Sequence, residues 1–352
     1  MDDAGRNAIA TTVFSTWVVL GLFIDGWAHN AGKPEDFWTP WHGVLYSGFA
    51  VGALWFAASR RRARRRGDVT PLDPLTAAGF LLFAFGGLGD AIWHSVFGVE
   101  QDVAALLSPT HLVLMLGGLL LICGPLRGTD EGTVRDATWR SALPELVSIM
   151  LAVAVVGFFL QFLSPFHGTH PDQYGAHSSE VGRFVGIASI LITNLLVVGG
   201  VALTVRRGPV LPPGALTLVV AGPVLLWSSL EGFDGVELTG AAIAAGLVAD
   251  VAARRGASTR LLLLATPATL WLVWFGTYHA RWGIEWPAEY WTGVTFLAVL
   301  TGWGVHLLDG PRVADASGAP FRTTVPPDLR PEEEPEVATP DRCVSTPARA
   351  GS

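Results

Sequence analysis

LTAAGFLLFAFGGLGDAIWHSVF, residues 75–97, is long enough to cross a bilayer as a helix and apolar almost throughout, yet it carries Asp90 and His94 one helical turn apart. A spanning helix needs about 20 mostly apolar residues. The chain repeats that kind of stretch, and the repetition decides the fold class. Half of the 352 residues are hydrophobic and only 15% are charged, against roughly 25% charged in soluble domains. The expected architecture is an all-α polytopic membrane bundle of about ten helices, over residues 8–29, 41–59, 75–97, 108–126, 142–163, 181–205, 214–230, 237–252, 261–279 and 289–308.

Basic residues set the expected orientation, because short loops rich in Lys and Arg stay in the cytoplasm. With the N-terminus inside, all of the 23 Lys and Arg except Lys33, Arg183 and Arg281 fall on cytoplasmic segments, the run RRRARRR at 60–66 included. An even number of passes then places both termini in the cytoplasm, in a cell membrane. The opening MDDAGRN lacks the basic start of a secretory signal, so the first helix is read as retained. Residues 309–352, with PPDLRPEEEPEVATPDR, are too polar and Pro-rich to bury a core and are expected to be a disordered cytoplasmic tail after a membrane domain at 1–308.

Several chemistries are set aside. Cys123, in the inner half of the fourth expected helix, and Cys343, in the tail, are too few and too badly placed for a disulfide framework. No P-loop, no GxGxxG after a strand and no nucleophile elbow is present, and nothing in the charge pattern suggests nucleic acid. Arg in place of Lys almost everywhere fits a GC-rich bacterial genome. The expected partner is the lipid bilayer, with other membrane subunits and the substrate left open.

An internal repeat accounts for the polar groups. DGWAHNAGKPEDFWTPWHGVLYSG (25–48) aligns with DAIWHSVFGVEQDVAALLSPTHLVLMLG (90–117): Asp, His four residues on, a loop carrying Glu, then Pro-x-His opening the next helix. The second copy has four more loop residues. Two duplicated hairpins, 8–59 and 75–126, are therefore expected. Residues four apart share a helix face, and a hairpin returns its second helix beside its first, so each hairpin can gather one carboxylate and two imidazoles: Asp25, His29 and His42, and Asp90, His94 and His111.

An ionised Asp at mid-bilayer costs roughly 2.5–3.5 kcal/mol on insertion scales. A divalent metal would offset that cost, since neutral imidazole and carboxylate suit zinc, copper and iron. The alternative is that each Asp simply pairs with its His neighbours. Glu35 and Glu100, which occur in both copies, and His167, His170 and His279 are additional candidate ligands. In the first copy, DxxxH followed after twelve residues by His resembles the copper motif of the C subunit of particulate methane and ammonia monooxygenases. That resemblance implies copper on Asp25, His29 and His42, covers 18 residues, and is not kept by the longer second copy. The chain also resembles bacterial integral membrane proteins with a repeated DxxxH and SPxHL pattern, which lend no activity.

Three functions follow as expectations: a transition-metal site near the outer face, with copper favoured through the borrowed spacing and an oxidoreductase role if a coordination position is open; a proton- or cation-coupled transporter or channel, in which Asp250 would be a lone ionisable group toward the inner side; and a structural or assembly protein.

Overall fold

The computed structural model describes residues 3–33, 38–67, 73–98, 102–128, 138–167, 174, 179–208 and 211–308. The expected tail at 309–352 lies outside the described residues. All described elements are helical: α1 (Asp3–Asn30), α2 (Pro40–Arg65), α3 (Pro74–Phe97), α4 (Asp102–Leu107), α5 (Pro109–Ile122), α6 (Gly124–Arg127), α7 (Trp139–Phe159), α8 (Glu180–Arg207), α9 (Ala215–Ser229), α10 (Thr239–Arg254), α11 (Thr259–Trp282) and α12 (Ala288–Leu308), with 3-10 turns at Gln161–Leu163 and Val236–Leu238. Seven segments are long and apolar enough to cross a membrane: Gly5–Asn30, Pro74–Phe97, Trp139–Phe159, Glu180–Arg207, Val236–Arg254, Thr259–Trp282 and Ala288–Leu308. Helices α5 and α9 are apolar but shorter.

Two boundaries differ from the sequence expectation. The helix expected over 108–126 breaks at Cys123, where Gly124 and Pro125 start the separate turn α6. The loop expected before it contains α4.

Helices α1, α2, α3 and α5 form two antiparallel pairs, α1 with α2 and α3 with α5. Each pair is held at a distance only glycine allows. A Cβ on Gly21 of α1 would lie 2.5 Å from the Leu45 Cα, and one on Gly117 of α5 would lie 2.6 Å from the Phe83 backbone nitrogen. Small residues permit this backbone approach in lipid, where no hydrophobic drive pushes helices together. A small cluster of Phe14, Val18, Leu45, Phe80, Phe83 and Leu121 joins the two pairs. The larger core lies mainly among α7 to α12 and takes in Val19 and Phe23 of α1 and Ile122 of α5. Within it, fully buried Asn194 of α8 donates to the Ala298 carbonyl and to Thr301 Oγ1, and accepts from Trp271 Nε1 at 2.9 Å, tying three helices together.

Hydrogen-bonded caps fix the helix starts. Asp73 accepts from the Leu75 and Thr76 amides at the start of α3, and Arg127 Nε reaches it at 2.7 Å. Partial burial works against its charge, but the hydrogen bonds from Thr76 and Arg127 and the guanidinium hold the Asp73 carboxyl below its ordinary value. Helix α9 begins at Gly214, which has no side chain to cap it; Asp250, buried on α10, accepts instead from Leu216 N, Thr217 N and Thr217 Oγ1 at 3.1, 2.9 and 2.6 Å. Asp250→Ala is expected to destabilise the fold by about 1–3 kcal/mol, by loss of a cap and exposure of buried donors. Thermal unfolding in detergent, with metal content unchanged, checks this.

Candidate metal centre

Asp90 lies in the last two turns of α3, and Gly98, at φ 81°, ends that helix. The Gly98 carbonyl turns back to accept from His94 Nδ1 at 3.3 Å. With Nδ1 protonated, His94 presents Nε2 to Asp90 Oδ1 at 3.5 Å. The next helix repeats the arrangement. Ser108 caps α5 by accepting from the His111 amide, Pro109 takes the first turn, and the Ala105 carbonyl of α4 accepts from His111 Nδ1. That orientation aims His111 Nε2 at Asp90 Oδ1, 3.1 Å away. Thr110 Oγ1 donates to the same carboxylate at 3.1 Å, and Asp90 is 1% exposed.

These distances match co-ligands on one ion. Donors bound tetrahedrally at about 2.0–2.2 Å stand roughly 3.3–3.5 Å apart, and one donor atom from each of Asp90, His94 and His111 lies within 4.8 Å of both others. Both imidazoles also have the outer contact common among metal-binding histidines: the second ring nitrogen donates to a backbone carbonyl, which fixes the tautomer and turns the free nitrogen inward.

The first hairpin brings its three residues together more loosely. His29 Nε2 stands 4.0 Å from Asp25 Oδ2, and His42 Nδ1 stands 3.6 Å from Asp25 Oδ1. His42 faces Asp25 with Nδ1, the nitrogen that also contacts Thr39 Oγ1 at 2.8 Å. Among the described residues, the three-donor cluster at 4.8 Å belongs to the second hairpin, although the monooxygenase-like spacing belongs to the first.

Both groups open into one cavity of about 760 Å³, lined by Asp25, His29 and His42 on one side and Asp90 and His111 on the other. Tyr46, which the sequence reading did not single out, lines it between them. Its ring stacks on His42 with centroids 6.2 Å apart and lies against Gly87 of α3. The signal was present: Tyr46 follows His42 by one turn, and Gly87 precedes Asp90 by three residues.

A third polar group closes the same end. His167 Nε2 lies 2.9 Å from Glu231 Oε1 and 2.9 Å from Asn30 Nδ2, while Asn30 also donates to Gln161 Oε1 and the Leu230 carbonyl. His167 and Glu231 line the cavity without belonging to the Asp90 cluster. His279 is exposed in the last turn of α11 and is not among the cavity-lining residues. Glu35, Glu100 and His170 lie outside the described residues. No known family, curated protein or solved structure matches the chain.

Proposed function

We propose that this chain is a multi-pass membrane protein that binds a transition metal through Asp90, His94 and His111. The observation that carries the reading is the convergence, beside a cavity, of a buried carboxylate and two imidazoles whose Nδ1 atoms face backbone carbonyls. Three protein ligands with the cavity beside them leave a coordination position open, as in catalytic rather than closed structural sites, and this supports a metal-dependent oxidoreductase. Copper is favoured over zinc or iron only by the resemblance of the first hairpin to the monooxygenase motif.

The finer architecture belongs to the same proposal. Adding α2, of 26 residues, and the short α5 and α9 to the seven apolar segments makes ten passes, with both termini cytoplasmic and the Asp/His groups toward the exterior. Descent of the hairpins from one duplicated unit is supported by the return of a Pro-x-His helix start onto an Asp one hairpin arm away in each. The transport reading is weakened by Asp250, whose carboxylate is engaged in capping α9.

Elemental analysis of protein purified without chelators tests the proposal. About one equivalent of transition metal is expected. Metal-free protein that also fails to take up copper, zinc or iron on titration would overturn it and leave a carboxylate paired structurally with its histidines.

A further inference from the structure

The cavity is longer than a metal centre needs, and its chemistry changes along its length. It is lined on α1 from Val18 to Asn30, which at 1.5 Å per residue is roughly 18 Å. Its polar residues gather at one end, with Asp25, His29, Lys33, His111, His167 and Glu231. Past them the wall is apolar: Val18, Leu22, Phe83, Met115, Ile122 and Val155, drawn from α1, α3, α5 and α7. Four of these six, Val18, Phe83, Ile122 and Val155, are no more than 8% exposed, so this arm runs between packed helices. The total volume lies within the range of ligand pockets, roughly 300–1,000 Å³.

From this gradient we propose that the cavity binds a single-chain amphiphile with an oxygen head group, of the fatty-acid or fatty-alcohol class. Its hydrocarbon chain lies in the apolar arm toward the middle of α1, and its head group lies at the Asp/His end. The head-group placement rests on the metal reading, because the carboxylates of Asp25, Asp90 and Glu231 alone would repel an anionic head and a bound cation would attract it. The chain arm rests on the cavity alone. A compact polar substrate has no use for an apolar extension of this length. Each buried methylene, by contrast, strengthens binding by roughly three- to fourfold.

Gly118 gives a test that spares the metal ligands. It lines the arm two turns beyond His111, and a Cβ there meets only Phe83 ring atoms at 3.7 and 3.8 Å, which is ordinary contact. The backbone therefore accepts a side chain there, and Gly118→Leu adds three further carbons beyond Cβ beside the arm. In phosphatidylcholine nanodiscs, with affinity referred to free aqueous ligand and uptake by empty nanodiscs subtracted, wild-type protein is expected to bind spin-labelled hexadecanoate, to bind butanoate at least about 100-fold more weakly, and to lose about tenfold or more of the hexadecanoate affinity in Gly118→Leu while keeping its metal. Gly118→Ala, with less bulk, is expected to retain most of the binding. Equal affinity for both chain lengths, or unchanged hexadecanoate binding in a folded Gly118→Leu protein, overturns the proposal. Metal content is measured on the same samples: chain-length-dependent binding to protein without metal supports the chain arm and removes the metal centre, whereas metal without chain-length dependence does the reverse.

Discussion

Asp90→Asn is expected to lower metal affinity by about 100-fold or more while the protein keeps its fold. Asn preserves the volume and an oxygen to accept from Thr110 Oγ1, so the helix pair around it should remain packed. What it removes is the negative charge on the atom toward which both His94 Nε2 and His111 Nε2 point. Loss of an outer hydrogen-bond partner alone typically weakens metal binding 10- to 100-fold, and loss of a coordinating carboxylate should exceed that. The change is also visible in stability. A ligand at 100 times its dissociation constant stabilises the state that binds it by about 2.7 kcal/mol, so wild-type protein should melt higher with metal than without, and Asp90→Asn should show almost no such difference. Equal metal content and equal metal-dependent melting in the two proteins would reduce the cluster to a buried polar knot.

The residues of the candidate site were legible in the sequence; the quality of the site was not. Asp and His one turn apart, followed by Pro-x-His, announce a carboxylate and two imidazoles at one hairpin end, because helix period and tight return leave few other arrangements. Contacts made by backbone atoms in the connections carry no such signal. The carbonyls of Gly98 and Ala105 set the tautomers of His94 and His111, and nothing about a glycine or an alanine marks them for that role. Asp250 read as an isolated charge because its partners, Leu216 and Thr217, lie 34 and 33 residues away on another helix. His167 reads as a candidate ligand whose partner is hidden, because Glu231, which it meets at 2.9 Å, lies 64 residues further along the chain. The helix break at Cys123 was hidden because Gly-Pro inside an apolar run is also tolerated in membrane helices.

The two hairpins should therefore differ, and opposite to the order implied by the motif resemblance. His94→Ala is expected to weaken metal binding by about 100-fold or more, and His29→Ala by less than about threefold, measured by competition titration against a metal indicator. The cause is the connection between the helices. In the second hairpin four additional residues accommodate α4, whose Ala105 carbonyl accepts a hydrogen bond from His111 Nδ1, and the Ser108 hydroxyl accepts from the His111 amide as the helix cap. In the first hairpin Thr39 occupies the position of Ser108 but makes no side-chain cap, and its hydroxyl instead engages His42 Nδ1, the same nitrogen that faces Asp25. Trp41 stands where Thr110 donates to Asp90, so the first carboxylate has no hydroxyl from that position. Four added loop residues thus convert a loose Asp/His grouping into one with fixed tautomers and donor spacings of 3.1 and 3.5 Å. If His29→Ala proves as damaging as His94→Ala, the metal bridges the two hairpins across the shared cavity, and Tyr46, seated between them, becomes the next residue to replace.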